Sequence, residues 1–325
     1  MDPKTENKRS DPNRHGKPVS TQLDFLKRMV TQPKAIIGLV ILTLFILIAV
    51  FAPVIAPNDP SNYVGLSNLP PSSTHWLGTT GQGQDVFAQL VWGARISLFI
   101  GFTVGIMSTI LGLIVGMISG YMPGAIDGVL NLFTNVFLLI PGLPLLITLA
   151  SFLPQGMVTV ILVLTFTGWA WPARVFRSQM LSLREKDFVS AAVVSGENVP
   201  LIVFAEILPN MLSLVMSSLF GAVIYTIGAD AGLAFLGFEN INIISWGTML
   251  YWASNSSALL QEAWWTFLPP GLCIALVSFG MTMLIYAMDE VTNPRLRNEK
   301  EITRVLNKYH LGSKRSTPVI KEPLA

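Results

Sequence analysis

Lysine and arginine are confined to three stretches of this 325-residue chain. Eight lie in residues 1–34, four in 174–186 and eight in 295–321, and Arg95 is the remaining one. Membrane proteins concentrate their cations on the cytoplasmic side of the bilayer, whereas a soluble fold has no physical reason to do so. Charged residues make up only 12% of the chain, against about a quarter in soluble domains. The pattern predicts a multi-pass protein of the cell (cytoplasmic) membrane.

Six apolar runs lie between these basic stretches, and a helix of about 20 apolar residues crosses a bilayer. An even number of crossings returns both ends of the chain to one side, which agrees with the basic stretches. The sequence therefore predicts an all-α polytopic membrane protein with six transmembrane helices and cytoplasmic N- and C-termini. The predicted crossings are residues 35–55, 96–122, 126–152, 157–171, 211–238 and 269–288.

The same pattern divides the chain into regions by the side of the membrane that they occupy. Segments poor in lysine and arginine are expected outside, and segments rich in them inside. The predicted regions are a cytoplasmic basic tail (1–34), a first transmembrane helix (35–56), an extracytoplasmic segment (57–95), a core (96–290) that contains a cytoplasmic loop (187–210), and a second cytoplasmic tail (291–325).

Glycine recurs along the second apolar run at helical spacing. Gly101 and Gly105 form one small-xxx-small pair, and Gly112 and Gly116 form another. In lipid, such pairs let two helices approach closely, because packing rather than the hydrophobic effect drives their association. We expect this helix to pack against another chain.

Polar residues and prolines inside or beside the apolar runs mark candidate positions along a path through the membrane. Pro141 and Pro144 free backbone groups that must be satisfied by protein or in a wet cavity, so the third helix is expected to face the interior. Asn135 fits either an interhelical hydrogen bond or a pathway residue. Asp230 fits either an outer gate or a buried hydrogen bond. Trp246 fits either an interfacial aromatic belt or a contact with solute.

Reactive side chains form no recognisable catalytic or metal site in the sequence. The single cysteine, Cys273, allows no internal disulfide, and His15, His75 and His310 are too scattered to suggest a ligand set. The phosphate-binding pattern Gly-x-x-x-x-Gly-Lys-Ser/Thr is absent. We therefore predict that this chain has no catalytic residue and binds no metal, cofactor or nucleic acid.

Residues 187–210 contain the local signals of a helix, a sharp turn and a second helix. Asp187 can cap the first helix, and Gly196 stands where the turn needs a left-handed backbone. Asn198 can cap the second helix, and Pro209 is expected to end the segment. Small residues beside such a turn fit either an ordinary cytoplasmic loop or a compact knob that inserts into a groove on another protein.

The spacing of these residues resembles the Glu-Ala-Ala loop of ATP-binding-cassette importer permeases. Ala191-Ala192 is followed by Gly196 and then by Leu208-Pro209-Asn210, while Ser190 stands where that family usually has Glu. The resemblance implies that the loop carries a coupling helix that docks into the ATPase subunit. The residues implied in this docking are Ser190, Ala191, Ala192, Gly196, Glu197, Leu208, Pro209 and Asn210.

A second set of motifs resembles the C-type permease of the oligopeptide/dipeptide/nickel transport group. It comprises His75–Thr80, Gly83–Val86, Gly93–Leu98 and Ser245–Leu250. Gln84 is a departure, because the group usually has Arg at this position. Within this set, Asp85 and Arg95 fit a structural role at the membrane surface better than direct contact with solute.

This resemblance implies a type I importer permease fold and a defined set of partners. The partners would be a second, B-type permease subunit, two cassette ATPases that bind ATP and Mg, an extracellular solute-binding protein and membrane lipid. The implied solutes are oligopeptides or dipeptides, with oligosaccharides as the alternative. An ion-coupled secondary carrier is the competing class, and unlike an importer subunit it would work alone.

Overall fold

The computed structural model describes residues 32–292, with side chains up to residue 290. The two predicted tails, 1–34 and 291–325, therefore lie almost wholly outside the described residues. Within that range the chain forms helices joined by turns. These described residues contain two isolated antiparallel β-bridges but no β-strand. The helices are α1 (Pro33–Val50), α2 (Ala52–Ile55), α3 (Val86–Tyr121), α4 (Ala125–Leu139), α5 (Gly142–Phe152), α6 (Met157–Gly168), α7 (Ala170–Leu183), α8 (Asp187–Val194), α9 (Val199–Leu201), α10 (Leu208–Phe235), α11 (Trp246–Asn255) and α12 (Leu268–Thr292).

These helices confirm the predicted all-α membrane fold. Five helical segments are long and apolar enough to cross a bilayer: α1, α3, α6 with α7, the segment Val199–Phe235, and the segment Trp264–Glu290 that contains most of α12. The consecutive helices α4 and α5 meet at an angle of 89° and supply the sixth crossing if they are counted as one broken span.

The second crossing begins earlier than its apolar run indicates. Asp85 precedes α3, and its side chain accepts a hydrogen bond from the Ala88 backbone N–H, as an N-cap does. At 36 residues, α3 is about 54 Å long, well beyond the ~30 Å hydrocarbon core. Residues 86–95 are thus a helical extension of α3, and they belong to the segment predicted to be extracytoplasmic.

The glycines of α3 pack within this chain, so the expectation that they face another chain was wrong. A Cβ added at Gly112 would lie 2.7 Å from Pro172 Cβ, and one at Gly116 would lie 2.6 Å from the Ala173 carbonyl oxygen, both on α7. A Cβ at Gly105 would lie 2.5 Å from a Val223 methyl on α10. The small residues therefore bring α3 against two helices of its own bundle.

The main core joins α1, α3, α10, α11 and α12 around Trp246. This indole is fully buried and donates a hydrogen bond from Nε1 to the Leu90 carbonyl at 3.1 Å. Its backbone N–H donates to Ser97 Oγ at 3.0 Å, and Phe45 meets its ring edge-on at 5.7 Å. Trp246 thus fixes α11 to the N-terminal half of α3.

The segment between α2 and α3 is held against the loop before α12. Thr79 is fully buried, and its carbonyl accepts a hydrogen bond from Trp265 Nε1 at 3.2 Å. The Asp85 carboxylate lies 2.9 Å from His75 Nδ1, within hydrogen-bonding distance, and the same carboxylate caps α3. Gln84 donates to the Ser61 carbonyl at 2.9 Å. These contacts support the structural interpretation of Asp85.

Candidate functional site

The first helix of the loop between α7 and α10, α8, begins at Asp187, the residue that was expected to cap it. Lys186 occupies the N-cap position of α8 and makes no side-chain capping bond, and Asp187 is the first helical residue. The prediction that Asp187 caps α8 was therefore wrong. Its carboxylate still lies in the first turn, where the helix dipole favours a negative charge.

The turn after α8 has the predicted geometry. Gly196 has φ +81°, a left-handed conformation that a Cβ would strain. The Glu197 N–H donates to the Ala192 carbonyl at 3.1 Å, and the Gly196 N–H donates to the Val193 carbonyl at 3.0 Å. This pair of bonds is the Schellman motif that ends a helix. Asn198 then accepts from the Leu201 N–H at 3.0 Å, which confirms it as the next cap.

Pro209 does not end the segment, contrary to expectation. A six-residue π-helix, Ile202–Ile207, follows α9 and runs directly into α10, so residues 199–235 are continuously helical. Proline has no N–H to donate to the preceding turn, and a π-helical segment shifts the bonding pattern just before it. Asn210 Nδ2 donates to the Glu206 carbonyl at 2.6 Å within this junction.

The inner face of the loop is anchored in the bundle. Val189, Ala192, Ile202 and Ile207 are buried in one cluster with residues of α3 and α7. The helical residues that complete this cluster are Met117, Phe176, Met180, Leu183 and Met211. The loop is therefore in close-packed contact with these helices.

The outer face of the loop carries exposed apolar residues. Val194 is 88% exposed, Val193 is 55% exposed, and Phe204 and Phe188 are also exposed. We call Val193, Val194 and the adjoining Schellman turn the apolar knob. These residues were not among the predicted docking residues, although the buried positions 189 and 192 leave 194 on the opposite side of a 3.6-residue helix, with 193 at the edge of the buried face.

The residues predicted for docking are divided between the two faces. Ser190 and Ala191 are exposed on α8, and within the turn of the apolar knob Gly196 is exposed and Glu197 is half-buried. Pro209 and Asn210 are exposed at the start of α10. Ala192 and Leu208 instead belong to the inner, anchoring face.

Two cavities lie along the bundle between α4, α7 and α10. One, of about 630 Å³, is lined by polar groups of α4 and α7, including Asn131, Asn135, Arg174, Ser178 and Gln179. The other, of about 690 Å³, includes Ser108, Thr167, Ser217, Ser218, Tyr225 and Thr226 in its lining. Trp171 and Leu214 line both, so the two cavities adjoin. We call them the lower and the upper cavity, and together they form a partly polar route along membrane-spanning helices.

An ion pair holds α4 against α7 beside the lower cavity. Arg177 donates to both carboxylate oxygens of Asp127, from Nε at 2.7 Å and from Nη2 at 2.8 Å. Ser119 of α3 donates to the same carboxylate at 2.6 Å. A two-pronged contact of this kind fixes direction as well as distance. These contacts thus tie α3, α4 and α7 together beside the lower cavity.

The four predicted pathway residues differ in their surroundings. Asn135 lines the lower cavity, and Pro141 is the exposed residue at the 89° bend, between the upper-cavity residues Ile140 and Gly142. Asp230 and Trp246 are buried and line neither of these two cavities. A gate role for them stays a prediction.

Asp230 is buried near a second carboxylate that the sequence analysis did not pair with it. Both side chains are almost fully buried, Asp230 at 2% exposure and Glu239 at 0%. Asp230 Oδ1 and both carboxylate oxygens of Glu239 have no hydrogen-bond partner among the described residues. Burial raises the pKa of Glu239, in the loop after α10, from 4.5 to about 7. Buried polar groups of this kind are rare and call for a specific cause.

Taken together, the membrane-spanning bundle, its partly polar route and its apolar knob are the features expected of a transport permease subunit. Sequence comparison then gives the family. Residues 112–298 match the family described as "Binding-protein-dependent transport system inner membrane component", and residues 21–71 match the "N-terminal TM domain of oligopeptide transport permease C". The chain belongs to this family of inner-membrane transport components.

Curated relatives agree with this assignment over most of their length. The chain is 32% identical over 283 residues to the "Oligopeptide transport system permease protein OppC" of Bacillus subtilis, covering 86% of this chain and 92% of the relative. It is 34% identical over 289 residues to the "Dipeptide transport system permease protein DppC" of Alkalihalophilus pseudofirmus, with the same coverage. A "Putative peptide transport system permease protein" of Brucella suis is 32% identical over 275 residues, covering 84% and 92%. The predicted importer-permease family and membrane location are confirmed.

Proposed function

We propose that this chain forms half of the translocation path of an ATP-driven importer for oligopeptides or dipeptides. The apolar knob carries this proposal, because a rigid turn that presents Val193 and Val194 to solvent needs a partner to cover it. The relatives named for oligopeptide and dipeptide transport favour peptides over the oligosaccharide alternative. The second half of the path would come from a B-type permease, and the peptide from an extracellular solute-binding protein.

The distribution of charge supports one orientation of the chain. Arg174, Arg177, Arg184 and Lys186 precede the knob in the sequence, and because cations favour the cytoplasmic side of a membrane, we place this end of the bundle in the cytoplasm. Lys34 at the start of α1 forms an ion pair of 3.5 Å with Glu290 near the end of α12, which supports termini on a common side. Two cassette ATPases, which bind ATP and Mg, would then meet the knob in the cytoplasm.

The mechanism uses the two faces of the loop. When ATP closes the ATPase pair, the apolar knob would be displaced, and the inner face of the same loop would move with it. Val189 and Ile207 would then transmit the movement to Phe176 of α7. Because α7 borders the lower cavity, its movement would change access to the route. A bundle with two arrangements, biased by nucleotide on a partner, gives alternating access without any cofactor on this chain.

Co-purification of the tagged chain with its partners tests the docking role. Val194→Asp should reduce recovery of the ATPase subunits by at least tenfold, since covering an unpaired carboxylate costs more than about 1.4 kcal/mol. We expect the fold to tolerate this change because Val194 is exposed, and Val194→Leu is the matched control that should retain the ATPases. Peptide uptake by the complex should fall in proportion to ATPase recovery.

Two outcomes would contradict the proposal. Undiminished ATPase recovery with Val194→Asp would show that the apolar knob is not the docking surface. A lone chain that moves solute down an ion gradient in proteoliposomes would identify the competing class, a secondary carrier.

A further inference from the structure

Three arginines lie close together on α7 and just after it, and two of them are committed to structural contacts. Arg177 is held by both oxygens of Asp127. Arg184 donates from Nη1 to the Gly120 carbonyl at 3.1 Å. Arg174 has an exposed side chain, lines the lower cavity and forms no ion pair or hydrogen bond within residues 32–290. Its guanidinium is thus the available cation of this group.

The lining of the lower cavity is positive and rich in hydrogen-bonding groups. None of its described lining residues is acidic, and the charge of Arg177 is balanced by Asp127. Asn131 and Asn135 are four residues apart on α4, so they share one face of that helix. From α7, Gln179 and Arg174 also line the cavity. Carboxamides donate and accept hydrogen bonds, as peptide groups also do.

A guanidinium presents its donors in a planar fork that matches a carboxylate in two-pronged geometry. The volume of about 630 Å³ falls within the ~300–1,000 Å³ of small-ligand pockets. A peptide with a free C-terminus combines a carboxylate with peptide groups, and both kinds of group have a counterpart in this lining. An uncharged sugar would leave the arginine without a partner.

We infer that Arg174 binds the C-terminal carboxylate of the peptide in the lower cavity, while Asn131, Asn135 and Gln179 hydrogen-bond to its backbone. The inference rests on the proposed function and adds a specificity-determining residue to it. The phosphate of an anionic lipid headgroup shares the relevant chemistry, so the experiment separates the two sources.

The experiment measures uptake of one peptide in two forms, with a free C-terminal carboxylate and with a C-terminal amide. Full complexes with binding protein are reconstituted in proteoliposomes, and kcat/KM is determined for the wild type and for Arg174→Gln. Dividing each variant value by the wild-type value for the same peptide removes the preference of the binding protein. The loss of kcat/KM for the acid form should exceed the loss for the amide form by about fivefold, which is the effect of a charge-assisted hydrogen bond in a wet cavity.

Two further variants make this comparison specific. Arg174→Lys keeps the charge but not the fork and should restore part of the selective loss. Arg95→Gln removes an exposed cation that lies over the Trp92 ring, away from the cavity, and should leave the ratio between acid and amide unchanged.

Several results would overturn the inference. One is an equal loss of kcat/KM for the acid and the amide form with Arg174→Gln. If that loss varies with the fraction of anionic lipid, the arginine binds a lipid headgroup instead. Another is unchanged uptake of both peptides. A wild-type complex that takes up neither form would instead contradict the proposed function, which keeps the two failures distinct.

Discussion

Glu239 places a carboxyl group where no solvent reaches it and no donor among the described residues meets it. An ionised carboxylate in that position is costly, so the folded state favours the protonated form. The nearby Asp230 adds a second buried carboxyl, and two neighbouring carboxyls exchange protons as a pair. At the scale of single residues, this is where charge and burial oppose each other most strongly.

The burial of the Glu239 carboxyl predicts that the stability of the fold depends on pH. With a folded pKa of about 7 against a usual value of 4.5, the folded state of Glu239 binds more protons than the unfolded state. The resulting stability is fully present below about pH 4.5 and is lost as the pH rises through about 7, by at most about 3 kcal/mol. Thermal unfolding of the purified complex between pH 5 and 8 should show a melting temperature that falls with pH.

Glu239→Gln provides the comparison for this measurement. The amide cannot ionise and has nearly the shape of the protonated acid, so the decline of the melting temperature with pH should become shallower. Parallel curves for the wild type and Glu239→Gln would show that other groups cause the pH dependence.

At the scale of helices, the contact of α3 with α7 depends on the absence of side chains. Gly116 leaves room for the Ala173 carbonyl, which would lie 2.6 Å from an added Cβ. The obstructing atom belongs to the backbone, so no rotamer change relieves the clash, and the two helices must separate.

Gly116→Ala is therefore expected to lower the free energy of unfolding by about 1–3 kcal/mol. The yield of folded protein and its melting temperature should fall accordingly. Gly128→Ala on α4 makes the same chemical change where nothing lies within 4 Å, and it should be neutral or slightly stabilising. Size-exclusion profiles and thermal unfolding of both variants provide the measurement. Equal stability of the two variants would refute the close-contact explanation.

The same scale shows which features could be predicted from sequence. Gly196 and Asn198 were predicted correctly because caps and left-handed turns depend on a few neighbouring residues. Pro209 was misjudged, because a π-helical segment can carry a helix up to a proline. The α3 glycines were assigned to the wrong partner, since spacing predicts a close approach but not which helix approaches.

The candidate site divides in the same way. The docking loop was recognisable from its turn residues, whereas the apolar knob depends on which side of α8 the bundle covers. The lower cavity combines α4 with α7, and the pairing of Asp230 with Glu239 depends on the fold of the loop after α10. Such placements depend on tertiary packing, which local sequence patterns do not encode.

For the whole molecule, alternating access predicts that the cavities open and close with the nucleotide state. The single cysteine, Cys273, permits a cysteine-free background by Cys273→Ser. In that background, Ser178→Cys places a thiol in the lower cavity. Its labelling by a water-soluble maleimide should change by about fivefold or more when ATP is trapped on the complex.

Ser73→Cys, in the exposed segment before α3, is the control for this assay and should label at one rate in both nucleotide states when no binding protein is added. If Ser178→Cys also labels at one rate, the cavity does not change its access with nucleotide, and the proposed mechanism fails.

The contact between Thr79 and Trp265 also constrains the order in which the chain matures. The bonded atoms are 186 residues apart in sequence, and Asn68 also bonds to Gln261 of the same late loop. During synthesis, the segment between α2 and α3 emerges long before its partner exists. We expect this segment to stay sensitive to protease until α12 has inserted, so that its protection would report completed biogenesis of the chain.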